Sequence, residues 1–321
     1  MGPNFKELRE TLLGGYTGRI PIAEISIARE IQEAFLGRPI AGPEDTVDFY
    51  SQAGYDYVGF CMEIDFRNGT FPRIRSEVNP PPRFKSLKEA EDFAWPDPTT
   101  LDLGELEALA DALPPNMKII PQMGGLFYYP SILLGFEELC VAMITDPPFA
   151  KFVFEKVGRI VSGIFDKLAR CPSVGAIWLS SDIAFGTSLM VSPESLRKYV
   201  FPWVKKIAKI AHRAELPIIF HSDGNLTEVI GDLVEAGIDA LHPIEPQAMD
   251  IMAIRDQYGP RLSLVGNVDV DILISRSPDD VRREAGRLRE SFGDQGGYVL
   301  GSGNSIPPAV PIENFKALIE P

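Results

Sequence analysis

The stretch Pro217-Ile-Ile-Phe-His-Ser-Asp-Gly-Asn225 places an imidazole and a carboxylate two residues apart, directly after four apolar residues. Side chains alternate with period two along a strand, so His221 and Asp223 fall on one face at its end. Three chemistries suit that pair. With Glu245 they supply imidazole and carboxylate ligands for a divalent metal, leaving an open position, with Asn304 as a weak fourth ligand or a substrate donor. Without a metal, His221 is a general acid–base oriented by Asp223 or Glu245. The plain reading is a hydrogen-bonded structural histidine. All three stay open on the residues alone. A second carboxylate, Asp182, follows the apolar run Ala176-Ile-Trp-Leu and two serines. It reads as catalytic, or as a loop cap, because Asp commonly bonds backbone amides in turns. His242 precedes Pro243 and reads equally as a satisfied residue of the core or of the layer behind the site, or as a catalytic one. His212 lies among Lys205, Lys206 and Lys209 and reads as surface.

Positioning these groups requires strands that end together. Short apolar runs recur at Arg19–Ile25, Asp56–Met62, Met117–Met123, Gly175–Ser180, Pro217–His221, Asp239–Ile244, Leu262–Val268 and Gly297–Ser302, eight in all. Amphipathic stretches such as 149–169, 193–214, 226–236 and 278–292 lie between them. Strand–helix alternation calls for parallel strands, since each crossover needs a helix. Eight units predict an α/β fold, a (β/α)8 TIM barrel over residues 1–321 as a single domain, with a doubly wound open sheet as the alternative. In a barrel the strand ends share one rim. Glu24, Gln122, Phe127, Tyr128, Tyr129 and Phe185 then reach it together with Asp182, His221, Asp223, Glu245 and Asn304. Glu24 and Gln122 complete a polar wall. The four aromatic residues form an apolar substrate pocket or ordinary core. Ser192-Pro193-Glu194 and Ser277-Pro278-Asp279 read as capped helix starts. Residues 66–88, with Pro80, Pro81, Pro82 and several arginines, interrupt the pattern and read as a lid or partner loop. The aromatic residues of Phe201-Pro-Trp203 read as packing.

Composition excludes several function classes. A net charge of −14 argues against nucleic acid or an anionic membrane surface as partner. The three cysteines, Cys61, Cys140 and Cys171, are widely spaced and suggest reduced thiols rather than a disulfide framework. The first ten residues lack the apolar stretch of a signal peptide. No run approaches the roughly 20 apolar residues needed to span a bilayer. A cytoplasmic location is the expectation.

Ser180-Ser-Asp-Ile-Ala-Phe-Gly186, Met190-Val-Ser-Pro-Glu194, Phe201-Pro202, His221-Ser-Asp-Gly-Asn225, Gly266-Asn-Val-Asp269 and Gly296-Gly-Tyr-Val-Leu-Gly-Ser-Gly303 resemble, as an ordered set, the uroporphyrinogen decarboxylase superfamily. The resemblance is close from Gly175 onward and loose before it. It implies a distorted (β/α)8 barrel. True decarboxylases of the superfamily carry an early signature resembling Arg-Gln-Ala-Gly-Arg. The corresponding stretch, Arg19 to Arg29, lacks that arginine pair, and Asn304 stands where those enzymes place a His. A second branch contains zinc-dependent, often corrinoid-linked methyltransferases, whose metal motif resembles His-x-Cys with a distant Cys and, in some members, an intervening Glu. His221 fits it, Asp223 replaces the first Cys, Glu245 is placed like the Glu, and Asn304 stands near the last Cys. The branch implies zinc, a corrinoid carried by a partner protein and a small-molecule substrate. Loss of the thiolates argues against a thiol substrate and for demethylation of a methoxylated compound. A metal-free decarboxylase-like enzyme using Asp182 and His221, and a non-catalytic binding barrel, are the alternatives. Dimers are common among the relatives, so a homodimer is a further expectation.

Overall fold

The computed structural model describes residues 2–71 and 84–320. Seven strands form one parallel sheet in sequential order. They are β1 (Tyr57–Met62), β2 (Lys118–Gly124), β3 (Ile177–Ser180), β4 (Ile218–His221), β5 (Ala240–His242), β6 (Ser263–Val268) and β7 (Tyr298–Ser302). Strands β3 to β5 are short apolar runs ending in one polar residue, as a sheet covered by helices requires. Every residue of β4 to β7 is buried, whereas Gly59 and Cys61 of β1 and Gln122 of β2 are half-buried.

The first of the eight expected strands is different. Residues 19–25 form no strand; the segment touches β7 through one isolated bridge, Ile22 to Leu300, and a second bridge, Ile27 to Ile306, follows beyond both. The reason lies on its other side. Backbone polar groups of an extended chain alternate in direction. Ala23 N donates to Leu300 O at 2.9 Å, so the backbone N–H and C=O of Glu24 face away from β7. There the Tyr57 hydroxyl accepts from Glu24 N at 2.8 Å and donates to Glu24 O at 2.6 Å. One side chain thus satisfies the groups that a neighbouring strand would have paired. Among the described residues the barrel is a curled seven-stranded sheet with this segment along its β7 edge, not eight complete ladders.

The covering helices follow from their apolar periodicity. The 22-residue helix Pro147–Leu168 buries Val153, Phe154, Val157, Ile160, Val161, Ile164, Phe165 and Leu168, the spacing of one helical face. Its cap Asp146 accepts from Phe149 N at 3.3 Å. Gly158 of that helix packs against Trp203, whose ring a Cβ there would meet at 2.1 Å. Trp203 therefore packs between helices, as its sequence context suggests. Ser192 caps the helix Pro193–Tyr199, and Ser277 with Asp280 forms a capping box on Pro278–Phe292, both at the expected positions. Within the expected loop at 66–88, residues 72–83 lie outside the described part of the chain. No described helix is long and apolar enough to cross a membrane.

Candidate functional site at the ends of the third and fourth strands

Register brings the chemistry together. Ser180, His221 and His242 are in-register partners across β3, β4 and β5, so the residues that follow them emerge side by side. Asp182 and Asp223 each come two positions after a strand end. His221 Nε2 lies 3.6 Å from Asp182 Oδ1 and 3.8 Å from Asp223 Oδ1. One donor atom from each of Asp182, His221 and Asp223 falls within 4.8 Å of the others. Burial is graded: the His221 side chain is 9% exposed, Asp223 35% and Asp182 51%. The group is rooted in the sheet and open outward.

A repeated device holds the loops. Strands β3 and β4 are each followed by a Ser that reaches back to the previous loop. Ser181 Oγ accepts from Phe127 N at 3.1 Å, and Ser222 Oγ accepts from Ile183 N at 3.1 Å. Backbone bonds continue the strand pairing one step beyond the ladder, Ser181 N to His221 O at 2.8 Å and Ser222 N to His242 O at 3.2 Å. Asp223 N donates to Asp182 Oδ1 at 3.2 Å, and Asn304 Nδ2 donates to Asp223 Oδ2 at 2.7 Å. Asp223 Oδ1 is buried and has no hydrogen-bond partner. Gly224 turns with φ +82°, and a Cβ there would sit 2.5 Å from Phe185 O, so a side chain at this position is excluded.

The electrostatics follow from this crowding. Burial, then the charges of Asp182 and Glu245, push the Asp223 carboxyl up to about 7, against the stabilising bond from Asn304. Burial lowers His221, opposed by Asp182, and burial holds His242 well below the ordinary histidine range. The two imidazoles meet through Nδ1 atoms 2.8 Å apart.

The remaining expected residues divide by location. Glu245 lies behind Asp223, accepting from Gly224 N at 2.9 Å, and is outside the three-donor group. Glu24 is enclosed, 1% exposed, with bonds from Ser302 N at 2.7 Å and Ser302 Oγ at 2.5 Å. Burial raises its carboxyl to about 8. Gln122 Nε2 bonds Ser180 Oγ at 3.4 Å, and its Oε1 is buried without a partner. Phe127 and Tyr129 belong to the core, Tyr129 through its hydroxyl on Ile64 N. Tyr128 and Phe185 are exposed, 43% and 51%. Beside Asn304 opens a cavity of about 410 Å³, whose polar lining includes Glu245, Gln247, Asp269 and Asp271. Sequence reasoning did not find the pairing of His242 with His221, nor the roles of Ser181 and Ser222. The signal for the serines was present: the dipeptide Ser-Asp follows both β3 and β4.

Comparison with known proteins adds to this geometry. Residues 56–321 match the family model described as uroporphyrinogen decarboxylase (URO-D). Among curated proteins, a uroporphyrinogen decarboxylase of Pelodictyon phaeoclathratiforme is 27% identical over 185 residues, 56% of this chain and 50% of that protein. One from Alcanivorax borkumensis is 25% identical over 271 residues, 81% of this chain and 73% of that protein. The chain spans about half the length of the first of these. A solved structure, a methyltransferase from Methanosarcina mazei, superimposes with a TM-score of 0.77 at 20% identity, covering 99% of this chain and 97% of that one.

Proposed function

Because the chain belongs to the uroporphyrinogen decarboxylase (URO-D) family, we propose that it is a metal-assisted methyltransferase. It moves a methyl group between a small, methoxylated substrate and a corrinoid carried by a partner protein. The observation that carries this reading is the convergence of Asp182, His221 and Asp223 at the strand ends.

The donor set fits a divalent ion. One imidazole and two carboxylates resemble three-ligand catalytic zinc sites that keep a position open. Asp223 Oδ1 is buried and unpartnered, and Asp182 and Glu245 both disfavour its charge. A cation beside these carboxylates relieves that repulsion. Asp182, His221 and Asp223 are the residues that would hold it. When bound, zinc supplies a Lewis acid that polarises an ether or alcohol oxygen.

The chain's own groups do the positioning. Asn304 holds Asp223 by its Oδ2, which leaves Oδ1 on the side of His221. Glu245 fixes the turn at Gly224. Gln122, with a free carbonyl oxygen, serves as a polar substrate contact. Tyr128 and Phe185 are the exposed aromatic residues suited to an aromatic substrate. Glu24 supports the rim from within, through Ser302. The name of the Methanosarcina mazei protein supports methyl transfer.

A second reading is favoured by the names of the curated relatives. In it the enzyme decarboxylates without a metal, and Asp182 and His221 transfer protons. Metal content separates the two. Protein purified without chelator should carry about one zinc per chain, lost in His221→Ala with the fold intact. Absence of binding even after reconstitution would move the weight to acid–base chemistry or to a non-catalytic barrel.

A further inference from the structure

His221 has two ring nitrogens and two different neighbourhoods. Nε2 faces Asp182 and Asp223, both beyond hydrogen-bond distance. Nδ1 makes the single short contact, 2.8 Å to Nδ1 of His242. A ligating histidine must offer a lone pair at one nitrogen and carry its proton on the other. That proton ordinarily goes to a carboxylate, a backbone carbonyl or water, which fixes tautomer and ring orientation. Here another imidazole occupies the place.

The constraint propagates. If His221 Nε2 is the ligating atom, its proton sits on Nδ1, and His242 Nδ1 must accept it. His242 is then the neutral ring with its own proton on Nε2. The surroundings hold His242 to that one approach. Strand register sets His242 directly beside His221. The two rings lie 5.0 Å apart with a 33° tilt. Trp178 packs edge-to-face against His242 at 5.0 Å, and His242 is 0% exposed. Trp178 closes one side of the ring.

We propose that His242 is the positioning residue for His221: its Nδ1 lone pair accepts the His221 Nδ1 proton and thereby presents Nε2 of His221, unprotonated, to Asp182 and Asp223. This inference rests on the metal-site reading, because the Nδ1–Nδ1 contact by itself allows either ring to donate.

The test uses two substitutions that separate acceptor from packing. His242→Asn keeps an acceptor oxygen near the position of Nδ1 and sacrifices ring volume. His242→Phe keeps an aromatic ring against Trp178 and removes the acceptor. The chain has three histidines, so long-range imidazole ¹H–¹⁵N spectra are assignable from single variants. In zinc-loaded wild-type protein, His221 should carry a hydrogen-bonded proton on Nδ1. That signature should persist in His242→Asn and be lost in His242→Phe. Titration with zinc alone should show affinity reduced about 10–100-fold in His242→Phe and largely retained in His242→Asn. Protonation of His221 at Nε2 in zinc-loaded wild-type protein would overturn the proposal, and so would a His242→Phe variant that keeps the wild-type Nδ1 signature. Zinc affinity lost in the Asn variant and kept in the Phe variant would assign His242 to packing. A wild-type protein that binds no zinc would refute the metal site and the positioning role together, whereas zinc bound with no Nδ1 proton on His221 would refute the positioning role alone.

Discussion

Glu24 gives a stability experiment with a worked sign. Its carboxyl is fully enclosed and raised from 4.5 to about 8 by burial. Between those values the folded chain holds a proton that the unfolded chain has released. The native state is therefore favoured at the acidic end, and that contribution is lost as pH rises from about 4.5 through 8. The slope for one group is about 1.4 kcal/mol per pH unit. From pH 4.5 to 7 it accumulates to about 3 kcal/mol, taking the folded value of about 8 as good to about a unit. Glu24→Gln mimics the protonated acid: its oxygen accepts from Ser302 N, and its amide donates to Ser302 Oγ, replacing both existing bonds. The variant should match wild type near pH 5 and exceed it by about 3 kcal/mol near pH 7. With a urea slope of about 3 kcal/mol/M, that is a midpoint difference of about 1 M. Asp223 shifts in the same direction, to about 7, but it is present in both proteins and cancels in the difference. Urea unfolding of both proteins at half-unit steps from pH 5 to 8 measures this directly. A difference that stays flat across the range would mean that Glu24 is ionised inside the fold, and the burial reasoning would fail.

Four further outcomes are expected. A proton competes with a metal ion for Asp223, so zinc affinity should climb with pH up to about 7 and flatten above it. Asn304→Ala removes a bond that favours the charged carboxylate and should move that climb to higher pH in zinc titrations. Ser222→Ala leaves the buried Ile183 N without its acceptor; a loss of about 1–3 kcal/mol in unfolding free energy should result, with faster amide exchange at Ile183. Gly224→Ala places a Cβ against Phe185 O. It should abolish zinc binding while far-ultraviolet circular dichroism stays unchanged, because the strain is confined to the loop carrying Asp223.

What the sequence made legible follows how local each signal is. The runs ending at Met62, His221, Val268 and Ser302 became strands that end at those same residues, because short apolar segments bounded by turns carry their own evidence. The stretch Arg19–Ile25 has the same pattern, yet the Tyr57 hydroxyl, 33 residues from Glu24, takes the groups that would complete a ladder. No window around Glu24 contains that information. Within the site, His221 and Asp223 were visible as a pair because both belong to one strand end. The approach of Asp182 depends on the register of β3 against β4, and the separation of Glu245 depends on its bond to Gly224 N. Phe127 and Tyr129 read as well for a pocket as for a core. Only long-range contacts, Tyr129 with Ile64 and Phe127 with Phe154, decide between them.

The most direct measurement is single-turnover methylation of free cob(I)alamin by a panel of methoxylated aromatic compounds. It would use protein as purified, protein stripped by chelator, stripped protein reloaded with zinc, and His221→Ala. Methylcobalamin should form with the purified protein, vanish on stripping, return with zinc and fail to form with the variant. Methyl transfer that persists unchanged in stripped protein and in His221→Ala would contradict a catalytic metal at Asp182, His221 and Asp223.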